Sequence, residues 1–207
     1  MTEHTDELKK KTKRIREQMG GKSRLEKMES EGKPNIRQHI DAILDEGTFQ
    51  EIGTFSRSLR EEDRETTPGD GKIGGEGEID GRPVAIAGDD ITVKRGSSSI
   101  VGSRKTSRLY QRALKMGFPY VYFGETGGGR IPDLIGAEGI SDAMPSPDIA
   151  RRRRLIPMAS VIVGQSFGGS SFHSAFSAAV TVSKNHEQWC NRRGFLSHIA
   201  LHRHAST

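Results

Sequence analysis

The sequence predicts an α/β fold with parallel strands, and two observations carry that prediction. An apolar run rich in aromatics, Pro119 to Phe123, enters a turn with the consecutive glycines Gly127, Gly128 and Gly129, followed by Arg130 and a short helical pattern. A second run, Ala159 to Val163, ends in Gly164-Gln165-Ser166-Phe167-Gly168-Gly169-Ser170-Ser171 and leads into small apolar residues. Strand, glycine turn, helix, and the same again place ligand groups at the C-terminal ends of parallel strands. A glycine turn presents backbone N–H groups without side-chain obstruction, so it can hold a phosphate or supply part of an oxyanion hole. One such turn alone is equally well a tight connection with no ligand. The second turn of the same kind shifts the balance toward a site.

Composition sets the outer bounds. A chain of 207 residues is one domain of ordinary size with room for a real core. Only 32% of residues are hydrophobic and 29% are charged, so part of the chain is expected outside that core. The net charge of +5 suits phosphate-bearing ligands without calling for nucleic acid. The single cysteine, Cys190, excludes an internal disulfide framework. The polar, acidic start from Met1 to Glu7 is unlike a secretory signal, and no apolar run approaches the ~20 residues of a spanning helix. A soluble cytoplasmic protein is expected, or a mitochondrial matrix protein if the source is eukaryotic, with neither membrane nor nucleic acid as partner.

Taken in order, residues 1–33 carry charges of both signs, with Leu8, Ile15 and Met19 loosely spaced for one helical stripe until Gly20-Gly21. This is expected to be a solvated helical arm, either frayed or packed on a partner subunit. Ile36, Ile40, Ile43 and Leu44 recur with helical spacing, and Gly47 stops that helix. Phe49, Ile52 and Phe55 form a short apolar segment, and residues 56–71, charged from Arg57 to Pro68, read as a loop that can be mobile until something binds. Asp80-Gly81 between extended runs signals a hairpin whose second strand, Val84 to Ala87, is apolar throughout and therefore central. Asp89-Asp90 reads as a turn, and Ile91 to Val93 as the strand resumed.

Lys94-Arg95-Gly96-Ser97-Ser98-Ser99 is basic and rich in hydroxyls, able to hold phosphates, but it lacks the spacing of a nucleotide-binding P-loop. Ser103 to Met116 reads as a helix. Its end, Ala113-Leu114-Lys115-Met116, has some likeness to a biotin-attachment site. A carrier lysine, however, sits on an exposed hairpin tip, whereas Lys115 ends a helix before Gly117. Arg151 to Arg154, without interleaved aromatics, reads as a solvated helix end rather than a nucleic-acid patch. Phe172 to Val180 reads as a buried helix.

The order of these features resembles the N-terminal half of the β subunit of biotin-dependent acyl-CoA carboxylases, the carboxyltransferase family of propionyl-CoA and methylcrotonyl-CoA carboxylase. The likeness runs over roughly residues 20–177. It is carried by Gly20-Gly21 to Lys27, Arg37 to Glu51, Gly75 to Val84, Thr126 to Ile131, and Gly164 to Gly169. Where the family usually has Ser-Gly-Gly-Ala-Arg-Ile, this chain has Thr126 and Gly129; where it often has Gln-Glu, this chain has Pro132-Asp133.

The resemblance implies a crotonase-like lobe over residues 34–180. It implies carboxyl transfer from carboxybiotin to the α-carbon of an acyl-CoA through an enolate. Backbone groups of Gly127, Gly128, Gly168 and Gly169 would stabilise that enolate. Lys94, Arg95, Arg104, Lys105 and Arg130 are then candidates for holding coenzyme A, and no metal is required. Biotin would arrive on a separate carrier, so a biotin carboxylase or carrier subunit is an implied partner, and the family forms homo-oligomers. A non-catalytic acyl-CoA-binding or assembly module is the alternative. So is another crotonase-like enzyme, which would need Glu125, Asp133 or His173 aimed at the hole.

After Ser177 the likeness weakens, and residues 181–207 are expected to be an atypical, disordered tail such as a truncation or frame change would produce. Cys190, His198, His202 and His204 make a poor zinc set without a second cysteine pair. Without the family's second lobe, the chain alone is expected to have little carboxyltransferase activity.

Overall fold

The computed structural model describes residues 2–143 and 155–182. Arg151 to Arg154 and residues 183–207, including Cys190 and the histidines near it, lie outside the described residues. The elements are α1 (Thr2–Gln18), α2 (Lys22–Ser30), α3 (Ile36–Ile43), β1 (Gln50–Glu51), β2 (Lys72–Ile79), β3 (Arg82–Asp89), α4 (Ile100–Met116), β4 (Tyr120–Thr126), α5 (Ala137–Ala143), β5 (Met158–Ser166), α6 (Gly169–Phe176) and β6 (Ala179–Val182). One six-stranded sheet holds the strands in the order β1-β2-β3-β4-β5-β6. The first three pair antiparallel, and β3 to β6 run parallel. No helix among the described residues is long and apolar enough to cross a membrane.

The period of two along the central strands divides the core between the sheet's faces. Val84 and Ile86 of β3, with Val121 and Phe123 of β4, pack with Ile36, Ile40 and Ile43 of α3. Ala85, Ala87, Tyr120 and Tyr122 pack on the other face with Leu109, Tyr110 and Ala113 of α4. Helix α3 starts on a capping box in which Asn35 accepts from Arg37 and Gln38 N–H groups and Gln38 reaches back. Helix α4 starts at Ser99, whose side chain accepts from Gly102 N–H, and ends on left-handed Gly117. Lys115 accordingly sits in the last turn of a helix. The hairpin turns on Asp80 (φ 51°) and Gly81 (φ 71°), the two left-handed residues of a tight two-residue connection.

The N-terminal arm is two helices, the first ending at the Gly20-Gly21 break expected from the sequence, and three expectations further along the chain are corrected. Met19 is buried, Gly20 N–H donates to Thr92 Oγ1 at 2.9 Å, and Arg16 pairs with Glu51 at 3.1 Å. Ile91 to Val93 is a turn and does not resume the strand. Asp90 Oδ1 accepts from Thr92 N–H (3.0 Å) and Oγ1 (2.5 Å), and that local bonding overrides the β-branched run. The stretch from Arg57 to Gly71 is anchored, with Ser58, Thr67 and Asp70 buried. Phe172 to Val180 is not one buried helix: α6 ends at Phe176, Phe172 is 36% exposed, and Ala179 begins β6.

Candidate functional site

Strands β4 and β5 run side by side in parallel and deliver their two glycine turns to the same end of the sheet. The turns touch. A Cβ built on Gly168 would lie 3.8 Å from Gly128 Cα, and one on Gly128 would lie 3.7 Å from Phe167 Cβ. Helix α6 approaches β4 at Gly124, where any side chain would overlap the Ser170 hydroxyl. That close approach fixes where the helix begins. Gly168, at φ 60° and ψ −122°, turns the chain from β5 into α6 in a conformation that disfavours L-residues.

The backbone donors of the two turns are used differently. Gly127 N–H donates to Arg95 O at 2.9 Å, and Gly128 N–H donates to Thr126 Oγ1 at 3.1 Å. Both N–H groups expected to face a ligand from the first turn therefore have internal acceptors. Ser98 runs alongside as a short parallel bridge: its N–H donates to Gly128 O (2.8 Å), and its carbonyl accepts from Arg130 N–H (2.7 Å). The N–H groups of Gly129, Gly168 and Gly169 have no acceptor among the described residues. Two of these begin α6, where the helix dipole favours negative charge.

Buried carboxylates hold the first turn. Arg130, 6% exposed, pairs with Asp70 at 2.6 Å, and Asp70 also accepts from Ser99 and from Gly102 N–H (2.8 Å) at the start of α4. Asp89 pairs with Lys72 and accepts from Tyr122 Oη (2.7 Å) and Glu125 N–H (3.0 Å). Lys72 also donates to Gly96 O at 2.9 Å. Nothing adjacent to Asp70 in the sequence points to Arg130 sixty residues later. The ion pair was illegible for that reason, as were the supporting roles of Ser98 and Asp89.

The five basic residues separate. Lys105 is buried, donating to the carbonyls of Gly53 (3.2 Å), Gly69 (3.1 Å) and Lys72 (2.5 Å), and burial pulls its ammonium down to about 8. Arg130 is committed to Asp70. Lys94 donates to Asp63 at 2.7 Å, a bond that holds the Asp63 carboxyl below its ordinary range. Arg104 is exposed and, with Arg108, Ile52 and Val101, lines an open cavity of about 280 Å³. Arg95 is exposed beside the glycine turns and donates to Gln165 Oε1 at 3.2 Å.

The three side chains that an alternative acid–base chemistry would need are buried or half-buried. Asp133 accepts from Ser58 Oγ at 2.6 Å. Glu125 packs against Gly164, and burial, reinforced by Asp89, raises its carboxyl above the ordinary range. His173 is 8% exposed and stacked on Tyr122 at 4.0 Å, its Nδ1 buried without a partner; burial pushes its imidazole down to about 4. Among the described residues no cluster of His, Cys, Asp or Glu is placed to hold a metal ion.

Known proteins resemble this chain in sequence and fold. The chain is 32% identical over 168 residues to the methylmalonyl-CoA carboxyltransferase 12S subunit of Propionibacterium freudenreichii subsp. shermanii, covering 80% of this chain and 32% of that protein. It is 31% identical over 182 residues to the propionyl-CoA carboxylase carboxyltransferase subunit of Haloferax mediterranei, covering 84% of this chain and 34% of that one. The chain thus spans about a third of the length of these relatives. Among solved structures, the transcarboxylase 12S hexamer with methylmalonyl-coenzyme A bound superposes with a TM-score of 0.78 at 29% identity, over 89% of this chain and 36% of that one. The mixed α/β sheet is therefore the crotonase-like carboxyltransferase fold that the resemblance implied. Residues 27–189 match the carboxyl transferase domain, beginning inside the N-terminal arm and running past Ser177. By that match over most of its length, the chain belongs to the carboxyl transferase domain family.

Proposed function

We propose that this chain provides the acyl-CoA side of the carboxyltransferase site of a biotin-dependent acyl-CoA carboxylase. The observation that carries the proposal is the contact between the two glycine turns, which sets the unspent N–H groups of Gly168 and Gly169 beside the stiff turn at Gly128. A thioester carbonyl oxygen laid on those donors gains negative charge when the α-proton leaves. Donors already in place stabilise that enolate without reorganising, each contributing about 2.7–4 kcal/mol in comparable oxyanion holes. Gly129 offers a third donor from the first turn. Gly127 and Gly128 shape the platform rather than bind the oxygen.

The proposed carboxyl transfer would draw no acid or base from this chain; Asp133 is bonded to Ser58, and His173 is stacked on Tyr122. Carboxybiotin, brought on a separate carrier, would supply the carboxyl group there. Free donors at a touching pair of turns fit the thioester that biotin chemistry acts upon. The exposed Arg104, which lines the open cavity, is the candidate for a coenzyme A phosphate. Assembly with copies of itself and with a biotin-carrying partner belongs to the same proposal.

The test compares affinities for an acyl-CoA and for a nitronate analogue of its enolate. The chain is expected to bind the analogue at least about tenfold more tightly. Gly168→Ala is expected to abolish that preference, and Gly127→Ala to keep it, because the N–H of Gly127 is already spent. Equal binding of both ligands by the unaltered chain would contradict the proposal.

A further inference from the structure

Arg95 stands where the backbone favours glycine. Its φ is 59°, directly after Lys94 at φ 46° and before Gly96 at φ 63°. Residues with a Cβ are held in this region only when the surroundings enforce it, and such outliers concentrate at functional sites. The backbone task at this position is to offer a carbonyl to Gly127 N–H, which a glycine would do equally well. What glycine lacks is the guanidinium.

That guanidinium lies along the first turn and reaches the second. A Cβ on Gly127 would sit 3.4 Å from Arg95 Nε, and Nη2 donates to Gln165 Oε1 at 3.2 Å, three residues before Gly168. The neighbouring cations Lys72, Lys94 and Arg130 each face a carboxylate, and Lys105 faces three carbonyls. Arg95 forms no ion pair among the described residues, so most of its donors face solvent at the rim of the two turns.

We propose that Arg95 is a specificity-determining residue whose guanidinium receives the free carboxylate of an α-carboxylated acyl-CoA while the thioester oxygen rests on Gly168 and Gly169. A planar fork of donors matches a carboxylate bidentately, and a cation at this rim distinguishes an acyl group that carries a carboxylate from one that does not. The inference rests on the acyl-CoA function proposed above and names the substrate form that the site prefers to hold.

The test uses the 207-residue chain and three probes: coenzyme A, propionyl-CoA and methylmalonyl-CoA. Dissociation constants are measured by calorimetry for the unaltered chain, Arg95→Gly and Arg95→Lys, with melting temperature recorded alongside. Arg95→Gly is expected to weaken methylmalonyl-CoA about tenfold. Propionyl-CoA and coenzyme A should be unchanged, and the melting temperature equal or higher because the left-handed strain is relieved. Arg95→Lys is expected to retain part of the preference. Equal weakening of all three ligands would mean a phosphate contact and would overturn the assignment of Arg95 alone, as would a preference that survives Arg95→Gly. If the unaltered chain binds none of the three, the acyl-CoA function falls and this inference falls with it.

Discussion

The first glycine turn, Thr126 to Arg130, is tied into the core from three directions, whereas the second, Ser166 to Gly169, is held by packing and by hydroxyl contacts. Around the first, Arg130 pairs with buried Asp70, Ser98 bridges both sides of Gly129, and Arg95 accepts the N–H of Gly127. Around the second, the Ser166 and Ser170 hydroxyls bond to each other at 2.7 Å, and Gly168 and Phe167 are exposed. The tied turn has spent the donors of Gly127 and Gly128 to become rigid and keeps only that of Gly129, whereas the open turn keeps those of Gly168 and Gly169 for a ligand. Stiffness and binding capacity are thus divided between two turns that look alike in sequence. A preorganised site needs both: donors that cost nothing to align, and a wall that does not yield.

If that division is right, damage to the first turn acts on stability and damage to the second acts on binding. The largest expected effect is from Arg130→Met, which strands the Asp70 carboxylate in the core. A loss of about 3–5 kcal/mol of unfolding free energy is expected in urea titration. The double variant Arg130→Met/Asp70→Asn should recover part of it. If Arg130→Met unfolds like the unaltered chain, the first turn does not depend on this pair.

The next effect depends on pH and concerns the floor under both turns. His173 sits on Tyr122 near Asp89 and Lys72, with its imidazole pushed down from 6.5 to about 4. The unfolded chain binds a proton near pH 6.5 and the folded chain only near 4. Stability from keeping this group neutral is therefore full above pH 6.5 and is lost as pH falls through 4. The loss is about 3 kcal/mol over that window. His173→Phe, which keeps the stack, should flatten the acid limb of a melting-temperature profile between pH 6.5 and 4. An unchanged limb would show that His173 is not the titrating group.

Smallest is Ser166→Ala in the second turn. Removing one hydroxyl of a neutral pair should cost about 1 kcal/mol. An effect as large as that of Arg130→Met would erase the contrast between the turns.

Much of this was legible in the residues, and the failures share a cause. Asp80-Gly81 located the hairpin because a two-residue connection needs left-handed backbone there. The glycine runs located both turns, and the helical spacing of Ile36, Ile40 and Ile43 located the α3 face. What failed depended on distant partners or on local competition. The loop from Arg57 to Gly71 looked mobile because its anchors, Asp133 for Ser58 and Arg130 for Asp70, lie far along the chain. Ile91 to Val93 looked like strand because the Asp90 carboxylate's hold on Thr92 is not a matter of propensity. The donors of Gly127 and Gly128 looked free because the sequence does not show that Arg95 and Thr126 accept from them.

The division of labour between the turns is tested most directly by following backbone amide resonances. The ¹⁵N-labelled chain is titrated with the nitronate analogue of an acyl-CoA enolate. The Gly168 and Gly169 amides, and to a lesser degree Gly129, are expected to shift downfield as they donate to the ligand, while Gly127 and Gly128 hold their positions. Shifts confined to Gly127 and Gly128, or saturation with no movement at Gly168 and Gly169, would contradict the account.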